Sequence, residues 1–178
     1  MSKGEMFSRA LVPPAVTYTC KWLARQSGVP VLWGAAEEHC IEVHLAGRAR
    51  RRHAEVRDID LVVALPENGA RPGREWANEH MRFESGGAYV QRWRYADTLP
   101  IELYITDHTS KGATLLHCTG GVEFNVWMRL RAIKRGMRLS QWGLTRGDEV
   151  VASVRERDIF RALDVPFVDP WRRDEPPA

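Results

Sequence analysis

No run of this 178-residue sequence is apolar for long enough to cross a membrane. Its first residues, MSKGEMFSRALVPP, lack the apolar core of a signal peptide, so the chain is expected to stay in the cytoplasm and make no use of a membrane. Cysteine is scarce. Cys20, Cys40 and Cys118 form no CxxC pair, which excludes a disulfide framework and leaves no zinc-ligand spacing; all three read as reduced thiols. The six histidines never recur at i, i+4, so no paired-histidine metal motif is present. Internal repeats and low-complexity segments are absent too. Charge of neither sign dominates, with a formal net value of +3. What remains is 44% hydrophobic and 28% charged, the composition of an ordinary folded protein. Its length suits one compact unit or two small lobes.

The small net charge conceals two basic clusters. Residues 47–57 carry Arg48, Arg50, Arg51, Arg52 and Arg57 against Glu55 alone. Residues 121–146 carry Arg129, Arg131, Lys134, Arg135, Arg138 and Arg146 against Glu123 alone. Clustering of this kind suits a polyanionic ligand, although either patch by itself also fits a solvated surface.

Residues 13–27 read as a helix opened by Pro13-Pro14 and closed by Gly28. A weaker helical pattern covers 34–40, and Ile41–Ala46 reads as a strand ending at Gly47. Asp58–Leu65, rich in β-branched and aliphatic residues, reads as a strand that stops at Pro66. Residues 74–84 suggest a short helix. Tyr89–Tyr95 and Ile101–Ile105, joined through ADTLP, suggest a hairpin. From Thr109 onward the pattern turns mainly helical, over 111–117, 122–135 and 155–163, with Gly136 closing the second helix. The boundary between two lobes is therefore expected at 108/109.

Asp58 and Asp60 lie two apart in one strand and so project to one side, while Ile59, Leu61 and Val63 project to the other. Glu102 alternates in the same way with Ile101, Leu103 and Ile105. If those strands neighbour each other, three carboxylates converge over a common apolar underside. Like charges at that range repel unless cations neutralise them. Hard oxygen donors with open positions suit Mg²⁺ or Mn²⁺. Plain polar-out alternation on water-facing strands gives the same spacing. The arginine cluster and the third carboxylate are what favour metal and triphosphate.

Gly-x-x-Arg-Arg from Gly47, followed by Asp58-x-Asp60, resembles the palm of the family X (polymerase-beta-like) DNA polymerases. HCTGGVEFNVWMRLRAIKRGMRLSQWGL, residues 117–144, resembles that family's thumb signature, and VRERDIFRALDVPFVDPWRRD, residues 154–174, resembles its C-terminus. The resemblance runs from Gly47 through Arg173. It implies an α+β fold: a nucleotidyltransferase palm with a mixed β-sheet over 1–108, and a smaller, mainly helical thumb with a short sheet over 109–178. It further implies a DNA-directed DNA polymerase of the repair, gap-filling type, adding dNMP to a primer 3′-hydroxyl with two Mg²⁺ ions, for which Mn²⁺ can substitute.

Carried over by position, Asp58 and Asp60 would bind both metals, and Glu102 would serve as the third metal-binding, catalytic carboxylate. Gly47, Arg48 and Arg51 match positions that contact the triphosphate. His117, Cys118, Thr119 and Gly120 match the segment along the incoming sugar. Asn125 and Arg129 match residues facing the nascent pair and template, and Lys134 and Arg138 extend the basic surface toward DNA. Gapped or primed DNA and a dNTP are the expected partners of a monomer. Three positions depart from the family's pattern: Glu102 replaces an aspartate, Arg48 a serine and Cys118 an aromatic residue. Only 46 residues precede the palm motif, so the chain resembles the compact viral form of the family, and its site of action is the cytoplasm: the nucleoid, or a host cell if viral. Two alternatives stay open: a nucleotidyltransferase with a non-DNA acceptor, or a DNA-binding relative impaired by Glu102.

Overall fold

A computed structural model of the chain describes residues 6–33 and 39–177. The chain divides into two compact units, residues 1–107 and 108–178. Among the described residues no helix is long and apolar enough to cross a membrane.

In the first unit, a two-residue strand β1 (Phe7–Ser8) leads into helix α1 (Val12–Ser27). Pro13 and Pro14 sit at the helix start, where missing N–H groups cost nothing. Gly28 ends the helix at φ 69°, its N–H donating to the Ala24 carbonyl (3.0 Å). Strands β2 (Val31–Trp33) and β3 (Ile41–Leu45) follow, then a single helical turn, α2 (Gly47–Arg50), and β4 (Glu55–Val56), which pairs with β1. Strands β5 (Ile59–Leu65), β6 (Met81–Gly86), β7 (Val90–Tyr95) and β8 (Leu99–Asp107) complete the unit.

The sheet order is β2-β3-β5-β8-β7-β6. Strands β2/β3 and β5/β8 pair in parallel and the other neighbours antiparallel, so the sheet is mixed. On one side, Ile59, Leu61, Val63, Ile101, Leu103 and Ile105 form a core with Val12, Ala15, Val16 and Leu23 of α1. Trp22 anchors the helix there. Its ring meets Trp93 edge-on at 4.8 Å between centroids, and its indole N–H donates to the Trp76 carbonyl (2.9 Å).

The second unit holds α3 (Lys111–Thr119), α4 (Val122–Lys134), a three-stranded antiparallel sheet of β9 (Arg138–Ser140), β10 (Gly143–Arg146) and β11 (Glu149–Ala152), and α5 (Glu156–Ala162). Phe124, Met128, Leu144, Ile159 and Phe160 form its core. Arg173 is wholly buried in it, paired with Glu156 and set against the rings of Phe124, Phe160 and Phe167.

The α+β class and the mixed sheet agree with the sequence. The helix expected over 74–84 does not form: Arg74–Trp76 is one 3₁₀ turn and Met81–Gly86 is a strand at the sheet edge. In M-R-F-E a period of two outweighs helical propensity, with Met81 fully buried and Phe83 against the core. The weak helix at 34–40 falls mostly outside the described residues. The arginine-rich stretch 47–57 contains the α2 turn and β4, to which the sequence reading assigned no element.

Candidate active site

Strand register builds the carboxylate cluster. In the parallel β5/β8 pair, Asp60 lies directly opposite Glu102, and Asp58 stands just ahead of β5. Across the antiparallel hairpin, Glu102 lies opposite Arg92 on β7. Asp60, Glu102 and Arg92 therefore form a row across three adjacent strands, on the face opposite the core residues. The Arg92 guanidinium contacts Glu102 Oε1 and lies 3.8 Å from Asp58 Oδ2. The Tyr104 hydroxyl donates to Glu102 Oε2 (2.9 Å). Both Glu102 oxygens thus already have protein partners.

Gly47 shapes the other side of the cluster. Its backbone is left-handed (φ 56°), and a Cβ there would fall 1.7 Å from Asp60 Oδ2. The Ala46 N–H just before it donates to the Asp60 carbonyl (2.9 Å). Only glycine lets this turn close onto the Asp60 carboxylate. Arg48 and Arg57 bring positive field to Asp58, and Arg51 brings it to Asp60. The Arg48 Nε is buried without a hydrogen-bond acceptor, which suits a guanidinium placed for an anion that binds later.

Burial, then Asp58 and Glu102, push the Asp60 carboxyl up to about 7, with the nearby Tyr104 hydroxyl and the charge of Arg51 opposing. Asp58 is raised by burial and by Glu102, with Arg92, Arg57 and Arg48 opposing. Burial works against the Arg92 charge, but Glu102, Asp58 and Glu84 outweigh it and raise its pKa. Among the described residues, no three Asp, Glu, His or Cys side chains stand ready to hold an ion as they are. The donor set nevertheless fits a divalent cation. It consists of carboxylates alone, and it is short of the positive charge that would let Asp60 ionise freely.

The raised Asp60 carboxyl makes stability depend on pH. Its folded pKa of about 7 exceeds the unfolded value of 3.8, so between those values the folded state holds a proton that the unfolded state has lost. The contribution to stability is full below about pH 4 and disappears as pH rises through 7. Metal-free Asp60→Asn is therefore expected to melt higher than wild type at pH 8, and the difference should vanish below pH 4 in thermal unfolding followed by circular dichroism.

In the second unit, the half-buried His117 sits at the end of α3, and Arg129 Nη2 donates to its Nδ1 (3.2 Å). That bond requires a neutral ring, in keeping with a pKa lowered by burial and then by Arg129. The Asn125 amide donates to the His117 carbonyl (2.8 Å) and the Gly120 carbonyl (3.1 Å), capping α3. A Cβ on Gly120 would lie 2.3 Å from Asn125 Oδ1, so glycine is needed for this approach. His117, Gly120, Asn125 and Arg129 therefore form one connected group, with half-buried Cys118 beside it in sequence. The Thr119 side chain is fully buried, which leaves its hydroxyl turned to the protein interior. Arg129, Lys134 and Arg138 are exposed.

The site residue that sequence reasoning missed is Arg92. A hairpin closed by Ala96–Thr98 pairs Tyr95 with Leu99. Counting back three residues on each strand places Arg92 against Glu102, so the signal was present in the turn.

Residues 114–174 match the family model described as DNA polymerase beta thumb. DNA polymerase IV of Saccharomyces cerevisiae is 38% identical over 63 residues, 35% of this chain and 11% of that protein. The DNA polymerase/3′-5′ exonuclease PolX of Bacillus subtilis is 27% identical over 143 residues, 76% of this chain and 25% of that protein. DNA polymerase lambda of Rattus norvegicus is 21% identical over 159 residues, 72% of this chain and 28% of its own length. The chain thus spans 11–28% of these curated relatives. Among solved structures, Leishmania infantum polymerase beta in a ternary P/T complex superposes with a TM-score of 0.77 at 17% identity, over 96% of this chain and 77% of that one. Its ternary gap complex gives 0.78 at 16% identity, over 96% and 71%.

The fold is that of a polymerase-beta-like palm and thumb. Residues 114–174 of the chain are similar to the thumb of DNA polymerase beta.

Proposed function

We propose that this chain is a DNA-directed DNA polymerase that fills short gaps, extending a primer 3′-hydroxyl with dNMP. The observation that carries this reading is the pairing of Asp60 with Glu102 beside Asp58, in a chain whose second unit matches a polymerase thumb. Asp58, Asp60 and Glu102 are the residues that would hold Mg²⁺ or Mn²⁺, and a bound pair would supply charge stabilisation to the 3′-oxygen and to the leaving pyrophosphate. Gly47 admits close backbone approach by the triphosphate, and Arg48 and Arg51 supply positive charge to it. Glu102, fixed by Tyr104, is the carboxylate placed to accept the 3′-hydroxyl proton. Arg129 takes the template-facing role. Lys134 and Arg138 bind phosphates, so affinity for gapped DNA should fall steeply with salt.

Arg129 separates templated from untemplated chemistry. Arg129→Ala is expected to lower single-nucleotide insertion on gapped DNA by roughly tenfold, while unfolding at the wild-type temperature within a few degrees. Unchanged insertion would remove the support for templating and favour another acceptor. One observation favours the impaired, DNA-binding alternative: both Glu102 oxygens are engaged by Arg92 and Tyr104. Tight binding of gapped DNA without extension under either metal would select it.

A further inference from the structure

We propose that Arg92 is a positioning residue that serves as the carboxylate cluster's resident counter-cation, and that a divalent ion loads this site only as the guanidinium withdraws from Glu102 and Asp58. The inference rests on the metal-binding reading above.

Three observations carry it. The hairpin register fixes Arg92 opposite Glu102, so the sheet itself sets the two side chains side by side. The same guanidinium nitrogen, Nη2, that contacts Glu102 also lies 3.8 Å from Asp58 Oδ2, so one positive charge sits between two carboxylates that would otherwise repel. The Arg92 side chain is 47% exposed, whereas Glu102 is 19% exposed. The cation can therefore swing toward water while its acceptor stays in place. The field of Glu84 on β6 reaches it as well.

A guanidinium and a divalent ion cannot share the Glu102 oxygen without close repulsion between like charges. In the metal-free protein Arg92 neutralises the cluster and holds Glu102 near the position it needs. In the loaded protein its stabilising work is done by metal. Arg92 thus sets the metal concentration at which the site fills. It also offers a structural answer to the longer reach of Glu102, since Arg92 and Tyr104 grip the carboxylate from two sides.

The test measures Mn²⁺ binding by the electron paramagnetic resonance signal of free Mn²⁺, with no nucleotide or DNA present. Thermal unfolding is recorded alongside, with and without saturating Mn²⁺. Arg92→Gln should bind Mn²⁺ roughly tenfold more tightly than wild type. Arg94→Gln removes the same charge from the same face of β7, but Arg94 pairs with Glu84, so its affinity should stay within about twofold of wild type. Arg92→Lys keeps the charge on a compact, more strongly hydrated ammonium and should fall between, which carries the test if the glutamine variant does not fold. Arg92→Gln should melt below wild type without metal and level with it when saturated.

Equal Mn²⁺ affinity in wild type, Arg92→Gln and Arg92→Lys overturns the proposal and leaves the metal site standing. A melting difference that persists unchanged at saturation overturns it too, since Arg92 would then be purely structural. If none of the folded proteins binds Mn²⁺, the metal-binding reading itself fails, and this inference with it.

Discussion

Asp60→Ala is expected to reduce dNMP insertion by roughly a thousandfold or more while leaving the fold intact. Asp60 is the centre of the site. It faces Glu102 across β5/β8, and Asp58 and Glu102 both act on its ionisation. Truncation removes a carboxylate on which both others act, and with it a residue placed to share two ions. Stability should not suffer. The Asp60 carboxyl is held up to about 7 by burial and by its neighbours' charge, so its removal relieves repulsion in the metal-free state. Insertion on gapped DNA, measured beside a circular dichroism melt, checks both halves. A melting temperature held at or above wild type with lost insertion is the expected pair. Retained insertion would move the chemistry elsewhere.

Gly47→Ala should cost about a hundredfold in insertion through a residue that contributes no side chain. The new Cβ would fall 1.7 Å from Asp60 Oδ2 and 2.6 Å from its Cγ, so either the carboxylate or the turn must move by more than an ångström-scale tolerance allows. The backbone at φ 56° adds strain of roughly 1–2 kcal/mol for a residue with a Cβ. The turn cannot retreat easily, because Ala46 is buried and its N–H is tied to the Asp60 carbonyl. Single-turnover insertion at saturating dNTP would register the loss in the rate constant. A variant that inserts at the wild-type rate would show that Asp60 works equally well when displaced, and that its close packing against Gly47 is not required for chemistry.

The parts of the fold that alternate or cap cleanly were readable from residues alone. Pro13-Pro14 and Gly28 bracket α1, and I-D-L-V-V and I-E-L-Y-I separate core from site by their period of two. Where the sequence misled, two local tendencies competed. Residues 74–84 carry good helix formers, but Met81 and Phe83 are needed by the sheet, and tertiary burial decided the matter. The carboxylates were readable because acids stand out in apolar strands. Arg92 was not, because an arginine on a strand among Gln91, Trp93 and Arg94 looks like ordinary solvent-facing charge until the hairpin register is counted. Asn125 shows a third kind of difficulty. The family resemblance sets it facing the nascent pair, while its amide donors close the end of α3, a use that depends on the Gly120 approach and on no spacing rule.

The central claim is templated insertion at the Asp58, Asp60 and Glu102 site. Its most direct test offers the wild-type protein a one-nucleotide-gapped duplex, with each of the four dNTPs supplied singly in Mg²⁺ and then in Mn²⁺. The expected result is one-nucleotide extension by the dNTP complementary to the template base, with the preferred dNTP changing whenever that base is changed. Extension that ignores the template base, or no extension under either metal, would contradict it.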